Sequence, residues 1–579
     1  MNSLEQSPAP TDAASQQSLG DPALPGGLVR HRWKLIAGLL LLSGVVRGLM
    51  AWQLRYVCDD AYYYFTLADA LQAGDWDWAF QYLNVNVYPA ILAVVQSTGL
   101  DWVSAGKLWG VIASSLLVLP LYGWLSRQFS ETTAVAACFA YAVNPELIEL
   151  SVEPIREPTF WLLVTLFLYL TYRAVNELKW SLFVGMGIVL FLALHTRSEG
   201  WVLLVPLLLW SFSAWVRNVP PAANRRRLLY GTLLSVGMVP ALLIVVNLTL
   251  LKSHSRWEWG RLPHFTPITQ ILSKADQAAA EGQFATATSE ASTTAQTGEV
   301  DAVTNVLHKP TVETASVAEA SIDGMETPPP RTFFKTFITE IEPISSLFLA
   351  IGVIAFPAIL WRRGHLPLTI SALLIFAAVW AYHQRTGLIN GRYFLTMFFF
   401  VVPFVALGLI HTLNWWVDRG GRMKSLSIKP RVAAIVLLLG LLTVGLCDAL
   451  SSAHRNRESQ AGLGVWMAET LPDCDRVGAN LAALRVAYEI RGTLPVIIRS
   501  FDEIPAQFAA DRPNMLVLSA EFVGADQADR MAELAEKWKL TRVDSTKLPH
   551  PATKYLIYAT RSFATRLQGA RLIAARPSR

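Results

Sequence analysis

The chain has 579 residues, of which 53% are hydrophobic and only 16% are charged, with a formal net charge of +5. Soluble domains usually carry about 25% charged residues, so this composition excludes an ordinary soluble enzyme, a disordered scaffold and a small disulfide-stabilised domain. Many nearly uncharged segments reach the length of roughly 20 residues that a helix needs to cross a bilayer. The composition therefore predicts a polytopic α-helical membrane protein. Its basic residues lie in short clusters between apolar segments and do not indicate nucleic-acid binding.

Residues 1–28 are rich in Ser, Pro, Ala, Gln and Gly, which predicts a disordered N-terminus. Residues 29–450 form the predicted membrane domain, with about eleven transmembrane helices. The predicted spans are about 33–51, 104–124, 132–149, 158–176, 180–195, 200–216, 228–251, 345–361, 366–382, 393–413 and 432–449.

Dense basic clusters fall on one side of the membrane when these spans alternate in direction. The clusters contain Arg30, Arg32 and Lys34; Arg127; Arg173 and Lys179; Arg217 and Arg225–Arg227; Arg362 and Arg363; and Arg419, Arg422, Lys424, Lys429 and Arg431. The positive-inside rule places them, and the N-terminus, in the cytoplasm. The opposite side receives the loops 52–103 and 252–344 and the C-terminal residues. We expect an integral protein of a bacterial-type inner (plasma) membrane with this orientation.

The two largest outward pieces differ in composition. Within the long loop 252–344, residues 285–332 contain no aromatic residue, which predicts a partly disordered segment. Residues 451–579 predict a small extracytoplasmic α/β domain. Its predicted strands are 476–480, 494–500, 514–520 and 554–560, and its predicted amphipathic helix is 527–539.

Two aspartates, Asp59 and Asp60, follow the first span and are followed in turn by Tyr62 and Tyr63. Either aspartate could simply cap the helix that begins here, since Asp is a good N-cap residue. The functional alternative is a carboxylate that takes a proton from a hydroxyl or holds a divalent cation. The two aspartates alone do not decide between these alternatives.

Three further outward corners carry ionisable side chains at membrane level, where such groups are costly and suggest function. The second corner contains Glu153, Arg156 and Glu157; the third contains His195, Arg197 and Glu199; the fourth contains Arg392 and Tyr393. Solvated turns and snorkelling arginines would explain each corner separately. Together they bring carboxylates and arginines to one face, which suits binding of an anionic phosphate head group and activation of a hydroxyl.

The motifs occur in an order that resembles a known superfamily. An acidic pair after the first span is followed by "NVNVYPAILA", "REPTFWLL", "HTRSEGW" and "GRYFL", and the chain ends in an outward α/β tail. The series resembles the GT-C superfamily of polyprenyl-phosphate-sugar glycosyltransferases over roughly residues 33–450. It is most similar to the branch of protein mannosyltransferases and lipid A aminoarabinose transferases, with kinship to oligosaccharyltransferase catalytic subunits.

The resemblance implies a role for each matching position. Asp59 is the counterpart of the catalytic acidic residue, and Asp60 is its neighbour, which is Glu in the mannosyltransferase branch, so either aspartate could be the base. The implied second acidic residue is Glu153 or Glu157. The implied phosphate-binding residues are Arg156, Arg197, Arg392 and Tyr393, and the implied acceptor or sugar pocket contains Tyr62, Tyr63, His195 and Glu199.

We therefore expect an inverting glycosyltransferase that moves a sugar from a polyprenyl-phosphate lipid to a hydroxyl or other group of a protein, lipid or polysaccharide acceptor at the extracytoplasmic membrane face. Arginines would stabilise the leaving phosphate; Mg²⁺ or Mn²⁺ held by Asp60 and Glu157 could do the same. An oligosaccharyltransferase or lipid-sugar ligase is the alternative within this class, although the tail has no WWDYG-like segment. A secondary transporter is the alternative from another class, but the sequence shows no repeated halves.

Overall fold

The computed structural model describes two groups of residues. In the membrane domain it describes 32–54, 58–81, 86–216, 222–249, 330–361, 364–386, 392–422, 436, 438–445, 447 and 449. In the C-terminal domain it describes 463–464, 466–480, 483–491, 494–498, 501–523, 527–544 and 555–574. The predicted disorder of 1–28, and that of 285–332 as far as residue 329, lies outside these residues and stays a prediction, whereas residues 330–332 are helical.

The membrane domain is built from helices, numbered here in chain order. They are α1 Arg32–Gln53, α2 Asp59–Ala73, α3 Trp76–Gln81, α4 Val87–Gln96, α5 Trp102–Leu116, α6 Val118–Gln128, α7 Glu131–Val143, α8 Pro145–Val152, α9 Glu157–Glu177, α10 Trp180–Thr196, α11 Leu204–Val216, α12 Ala222–Thr249, α13 Pro330–Ile341, α14 Pro343–Ala355, α15 Pro357–Trp361, α16 Leu366–Thr386 and α17 Arg392–Arg422. A 3₁₀ helix, Ser198–Leu203, precedes α11.

Six helical segments in the described part of the chain are long and apolar enough to cross a membrane. They are Arg32–Gln53, Trp102–Gln128, Glu157–Glu177, Ser198–Val216, Ala223–Thr249 and Arg392–Trp416. The bent pair Phe333–Thr339 and Pro343–Ala355 makes seven if it is counted as one span, and four shorter apolar helices accompany them. The polytopic helical fold is thus confirmed, whereas the number eleven stays a prediction.

The predicted span 132–149 is divided in the structure. Helix α7 ends at Val143, and α8 begins at Pro145. Asn144 caps α8, because its side chain accepts a hydrogen bond of 2.9 Å from the backbone N–H of Leu147. A capping Asn followed by Pro at the first helical position is a typical helix start. The apolar composition of this segment concealed the break.

Helix α17 runs through the middle of the bundle. In its most apolar window 94% of the residues are buried, whereas the corresponding share for α1 is 33%. The aromatic rings of Phe394, Phe398 and Phe399 are fully buried along it. A helix that is apolar on all sides belongs in the interior of a bundle. Its first residue, Arg392, therefore lies where several other helices end.

The turn between α8 and α9, residues 151–157, rests directly on helix α5. A Cβ atom on Gly110 would lie 2.2 Å from the Ser151 carbonyl oxygen, and one on Gly106 would lie 2.4 Å from Pro154. Glycines spaced four residues apart on one helix allow this close approach of another backbone. We call residues 151–157 the acidic corner, since Glu153 and Glu157 belong to it.

A buried arginine holds the same corner from the first helix. The Nε atom of Arg47 donates to the Ser151 hydroxyl at 3.1 Å, and its other nitrogens donate to Ser43 and to the carbonyls of Tyr141 and Ala142. These carbonyls belong to the last turn of α7, where helix carbonyls have no partner within the helix. Arg47 thereby joins α1, α7 and α8.

The C-terminal domain contains a five-stranded mixed sheet. Its elements are β1 Val477–Asn480, α18 Leu484–Arg491, β2 Val496–Ile498, α19 Ile504–Asp511, β3 Met515–Ser519, α20 Ala520–Val523, α21 Ala528–Lys537, β4 Leu540–Val543, β5 Tyr555–Thr560 and α22 Arg561–Ala574. The order is β2-β1-β3-β5-β4. Strand β1 pairs in parallel with β2 and β3, whereas β5 pairs antiparallel with β3 and β4.

The sheet confirms the predicted α/β tail, including all four predicted strands and the amphipathic helix α21. Strand β4 was missed. The domain contacts helices α2 and α3: Leu494 and Ile497 pack against the cluster that contains Tyr62, Tyr64 and Phe65 of α2, and Ile497 also packs against Trp78 of α3. The C-terminal domain and helix α2 therefore lie on the same side of the bundle.

Candidate active site

Four helix ends meet at one end of the bundle and carry the ionic groups. Asp60 lies in the first turn of α2, Glu157 begins α9, Arg197 follows the last residue of α10, and Arg392 begins α17. The Nη1 atom of Arg392 donates to Oδ2 of Asp60 at 2.5 Å. Two residues that are 332 positions apart in the sequence are thus joined by an ion pair.

Glu157 lies at the centre of this arrangement. Its Oε1 atom accepts a hydrogen bond from Nη1 of Arg197 and lies 3.6 Å from Nη1 of Arg392. Only 2% of the Glu157 side chain and 4% of the Arg197 side chain are exposed, whereas 52% of the Asp60 side chain is exposed. Arg197 also contacts Glu199, at 2.5 Å through Nη2 and 3.1 Å through Nε. Asp60 is therefore the solvent-accessible member of a largely buried ionic cluster.

Local sequence explains why these charges lie at helix ends. Glu157 occupies the first turn of α9 and is followed by Pro158, so its carboxylate faces the positive end of the helix dipole. Arg197 ends α10 in an extended conformation, and cations are favoured at that negative end. A Cβ atom on Gly200 would lie 2.8 Å from the backbone nitrogen of Leu194. Glycine at that position lets the 3₁₀ turn fold back against α10.

Aromatic rings enclose the Arg197 guanidinium. Its central carbon lies 5.9 Å from the Phe160 ring centroid and 5.8 Å from that of Tyr393, within the range of cation–π attraction. Tyr393, expected beside the phosphate, is thus adjacent to one of the two central arginines. Arg156 precedes Glu157, and its Nε atom is buried with no hydrogen-bond partner among the described residues.

Other expected site residues contact backbone groups or the C-terminal domain. Buried Glu153 accepts a 2.9 Å hydrogen bond from the backbone N–H of Cys58 and so holds the start of α2. Nδ1 of His195 donates to the Phe191 carbonyl within helix α10. Tyr62 packs against the C-terminal domain. The side chain of Asp59 lies outside the described part of the chain. The roles assigned to these residues stay predictions.

Tyr64 and Tyr88 also lie at the site, although the sequence motifs did not indicate them. The ring of Tyr64 packs edge-on against that of Tyr88, with 5.1 Å between centroids. Burial raises the pKa of Tyr64, while the charges of Arg156, Glu157, Asp60 and Arg197 act on it with opposing signs. The Tyr88 hydroxyl and Oε2 of Glu157 are both buried without a hydrogen-bond partner among the described residues. Such groups can bond to a bound ligand.

The expected metal ligands, Asp60 and Glu157, both contact Arg392. A divalent cation between them would face a guanidinium group, so this arrangement does not fit a cation. The described residues contain no group of three or more His, Cys, Asp or Glu side chains placed to hold a metal ion.

These features define a polytopic membrane protein with an ionic site at one end of its helix bundle, on the side where the α/β domain lies. Residues 90–248 match the family described as dolichyl-phosphate-mannose-protein mannosyltransferase. The match includes Glu157 and Arg197 but neither Asp60 nor Arg392. No curated protein sequence matches the chain significantly.

A solved structure shares the fold, and a second one aligns with the chain at a lower score. The crystal structure of ArnT from Cupriavidus metallidurans bound to undecaprenyl phosphate has a TM-score of 0.51 and 13% identity, and covers 93% of this chain and 99% of ArnT. The archaeal oligosaccharyltransferase AglB from Archaeoglobus fulgidus, in complex with an inhibitory peptide and a dolichol-phosphate, has a TM-score of 0.47 and 13% identity over 93% of this chain and 77% of AglB. The chain is thus similar in fold to ArnT, and residues 90–248 of its sequence match a mannosyltransferase family.

Proposed function

We propose that the chain transfers a sugar from a polyprenyl-phosphate donor to a hydroxyl or other acceptor at the outward membrane face, with inversion at the anomeric carbon. The carrying observation is the cluster in which Arg197 and Arg392 converge on Glu157 while Asp60 pairs with Arg392. The ArnT structure, which contains undecaprenyl phosphate, supports the donor class by analogy of fold. The acceptor is a protein, lipid or polysaccharide.

The charges in the cluster suggest how a donor would bind. Asp60, Glu157 and Glu199 carry three negative charges, which balance the three positive charges of Arg156, Arg197 and Arg392. An incoming phosphate must therefore replace one carboxylate. Asp60 is the replaceable partner because half of its side chain is exposed, whereas Glu157 is buried. Phosphate on Arg392 releases the Asp60 carboxylate at the place where the acceptor hydroxyl is needed.

In the transfer step the acceptor oxygen attacks the anomeric carbon from the side opposite the phosphate. The new carbon–oxygen bond forms as the bond to the phosphate oxygen breaks, and the lipid phosphate leaves with the electron pair. Asp60 accepts the acceptor's proton. Arg392 and Arg197 stabilise the charge on the departing phosphate, and their partly buried setting strengthens that attraction.

Transfer of a preassembled oligosaccharide is the second candidate, since it uses the same lipid-phosphate chemistry. The family match over 90–248 favours a mannosyltransferase-like donor. The discriminating assay supplies membranes with radiolabelled polyprenyl-phosphate monosaccharide or lipid-linked oligosaccharide and determines which label is transferred. A secondary transporter, the alternative from another class, is not supported by the family match over residues 90–248.

The test of the mechanism measures binding of undecaprenyl phosphate and sugar transfer on purified variants. Asp60→Asn should bind the lipid phosphate about 1.4-fold to fivefold tighter, because an exposed ion pair worth about 0.2–1 kcal/mol no longer competes for Arg392. The same variant should lose turnover by about 10²–10⁴-fold. Arg392→Lys should weaken binding, because an ammonium does not reproduce a guanidinium fork.

Asp59→Asn is the matched control, since it removes the adjacent carboxylate. Its turnover decides which aspartate is the base. Wild-type turnover in both Asp→Asn variants would refute the assignment of the base to this pair. Failure of the wild-type protein to bind undecaprenyl phosphate would refute the proposed donor.

A further inference from the structure

A tyrosine of the C-terminal domain packs against the helix that carries Asp60. The Tyr488 ring lies 4.9 Å from the Tyr62 ring centroid and 6.2 Å from that of Phe65. Phe65 in turn stacks on Trp102 of α5, with 6.1 Å between centroids. These rings form a continuous aromatic contact from the C-terminal domain through α2 to the membrane domain.

The contact is buried. The exposed fractions are 8% for Tyr488, 4% for Tyr62 and 0% for Phe65. Leu494 and Ile497 extend the contact from the C-terminal side. Burial of large rings in edge-on and tilted pairs fixes the relative orientation of the elements that carry them. Helix α2 is therefore held on one side by the C-terminal domain.

Helix α2 is held at its N-terminus as well. Glu153 of the acidic corner accepts the backbone N–H of Cys58, the residue before the helix. Asp60 lies between these two attachments: two residues after Cys58 and two residues before Tyr62. The position of its carboxylate relative to Arg392 consequently depends on both attachments.

We propose that Tyr488 is a positioning residue of the transfer reaction, which holds α2 so that Asp60 reaches both Arg392 and the acceptor hydroxyl. The inference rests on the proposed role of Asp60 as the base. It gives the C-terminal domain a part in positioning the active site, since the ring contacts of Tyr488 are with Tyr62 and Phe65 of α2. A displacement of about 1 Å at a reacting group can cost roughly 10²-fold in rate.

The experiment combines single and double variants in a transfer assay. Tyr488→Ala should lower turnover by about 10- to 100-fold while the affinity for undecaprenyl phosphate changes less than threefold, because Arg392 and Arg197 remain in place. Tyr488→Phe, which retains the ring, should keep near-wild-type turnover. Arg530→Ala, which removes an exposed ion pair with Asp502 in the same domain, is the matched control and should behave as wild type.

The decisive comparison is the Asp60→Asn/Tyr488→Ala double variant. If Tyr488 acts through Asp60, the double variant should be no slower than Asp60→Asn alone, since the group to be positioned is absent. Multiplicative losses would refute the positioning role and leave the proposed function intact. Wild-type turnover in Asp60→Asn would instead refute Asp60 as the base. If Tyr488→Ala does not fold, Tyr62→Leu removes the same ring contact from the other side and replaces it in the cycle.

Discussion

Cys58 lies immediately before α2, and the charges of Asp60, Arg392 and Glu157 in the candidate active site act on its thiol. Burial raises the pKa of its thiol to about 12, and the charge of Asp60 raises it further, whereas Arg392 opposes the shift. The thiol is therefore protonated at neutral pH. The unfolded chain would lose this proton near the usual pKa of 9.0, whereas the folded chain keeps it up to about pH 12. The free energy of unfolding is therefore highest below pH 9 and falls as the pH rises from 9 to 12.

Alkylation of Cys58 should be slow because only the thiolate reacts. The measurement uses a Cys138→Ala/Cys447→Ala/Cys474→Ala variant, in which Cys58 is the remaining cysteine. At neutral pH its rate of reaction with iodoacetamide should be about 10³-fold below that of a thiol with the usual pKa, and the rate should still rise with pH above 9. Asp60→Asn should speed the reaction. Mass spectrometry over a pH series provides the measurement. A rate that levels off near pH 9 would contradict the raised pKa.

The sequence selected individual ionisable residues because such side chains are uncommon at membrane level. The structure joins Asp60, Glu157, Arg197 and Arg392, all of which the resemblance had selected. Tyr64 and Tyr88 were missed as site residues because buried tyrosines in aromatic segments have the same sequence pattern as ordinary core residues. The structural role of Glu153 was hidden for a similar reason: the sequence does not show which backbone N–H a carboxylate will meet.

At the scale of elements, the acidic corner depends on close packing against α5. Gly110→Ala should place a methyl group 2.2 Å from the Ser151 carbonyl oxygen and force the corner away from the helix. Such overpacking costs about 1–3 kcal/mol. Because Glu157 begins the next helix, turnover should fall by about tenfold or more along with the melting temperature.

Gly48→Ala on α1 is the matched control. A Cβ atom at Gly48 would have no heavy atom within 4 Å, so alanine should leave activity unchanged and stabilise the helix by up to about 1 kcal/mol. Thermal unfolding and transfer rates of both variants test the contrast. Equal behaviour of the two variants would mean that the corner tolerates a Cβ atom on α5.

Helices and strands could be predicted from the sequence where the hydrophobic periodicity and the length of a segment indicated the same kind of element. The four strands and helix α21 of the C-terminal domain matched, because short β-branched strands and a strongly amphipathic helix differ clearly in pattern. Strand β4, Leu540–Val543, was missed because four residues directly after a helix show too little alternation. The break at Asn144 was missed because a polar residue and a proline within an apolar segment did not outweigh the span length.

At the scale of the whole molecule, the contact between the C-terminal domain and α2 fixes their common side but does not identify that side as outward. The expected orientation rests on the positive-inside rule, which predicts that the basic loop 217–227 is cytoplasmic and the loop 252–344 is outside. The active site and the C-terminal domain would then face away from the cytoplasm, where the acceptor of the proposed reaction would be met.

Cysteine labelling tests this orientation. In a variant without native cysteines, Ser289→Cys should react with a membrane-impermeant maleimide in intact cells, because the loop that contains it is predicted to be outside. Asn218→Cys, the matched control in the basic loop, should react only after the membrane is permeabilised. The reverse pattern would invert the topology and place Asp60 and Arg392 on the cytoplasmic side. The same ionic cluster would then have to use a donor and an acceptor presented at the cytoplasmic face, and the proposed outward transfer would be wrong even if the chemistry of Asp60 were right.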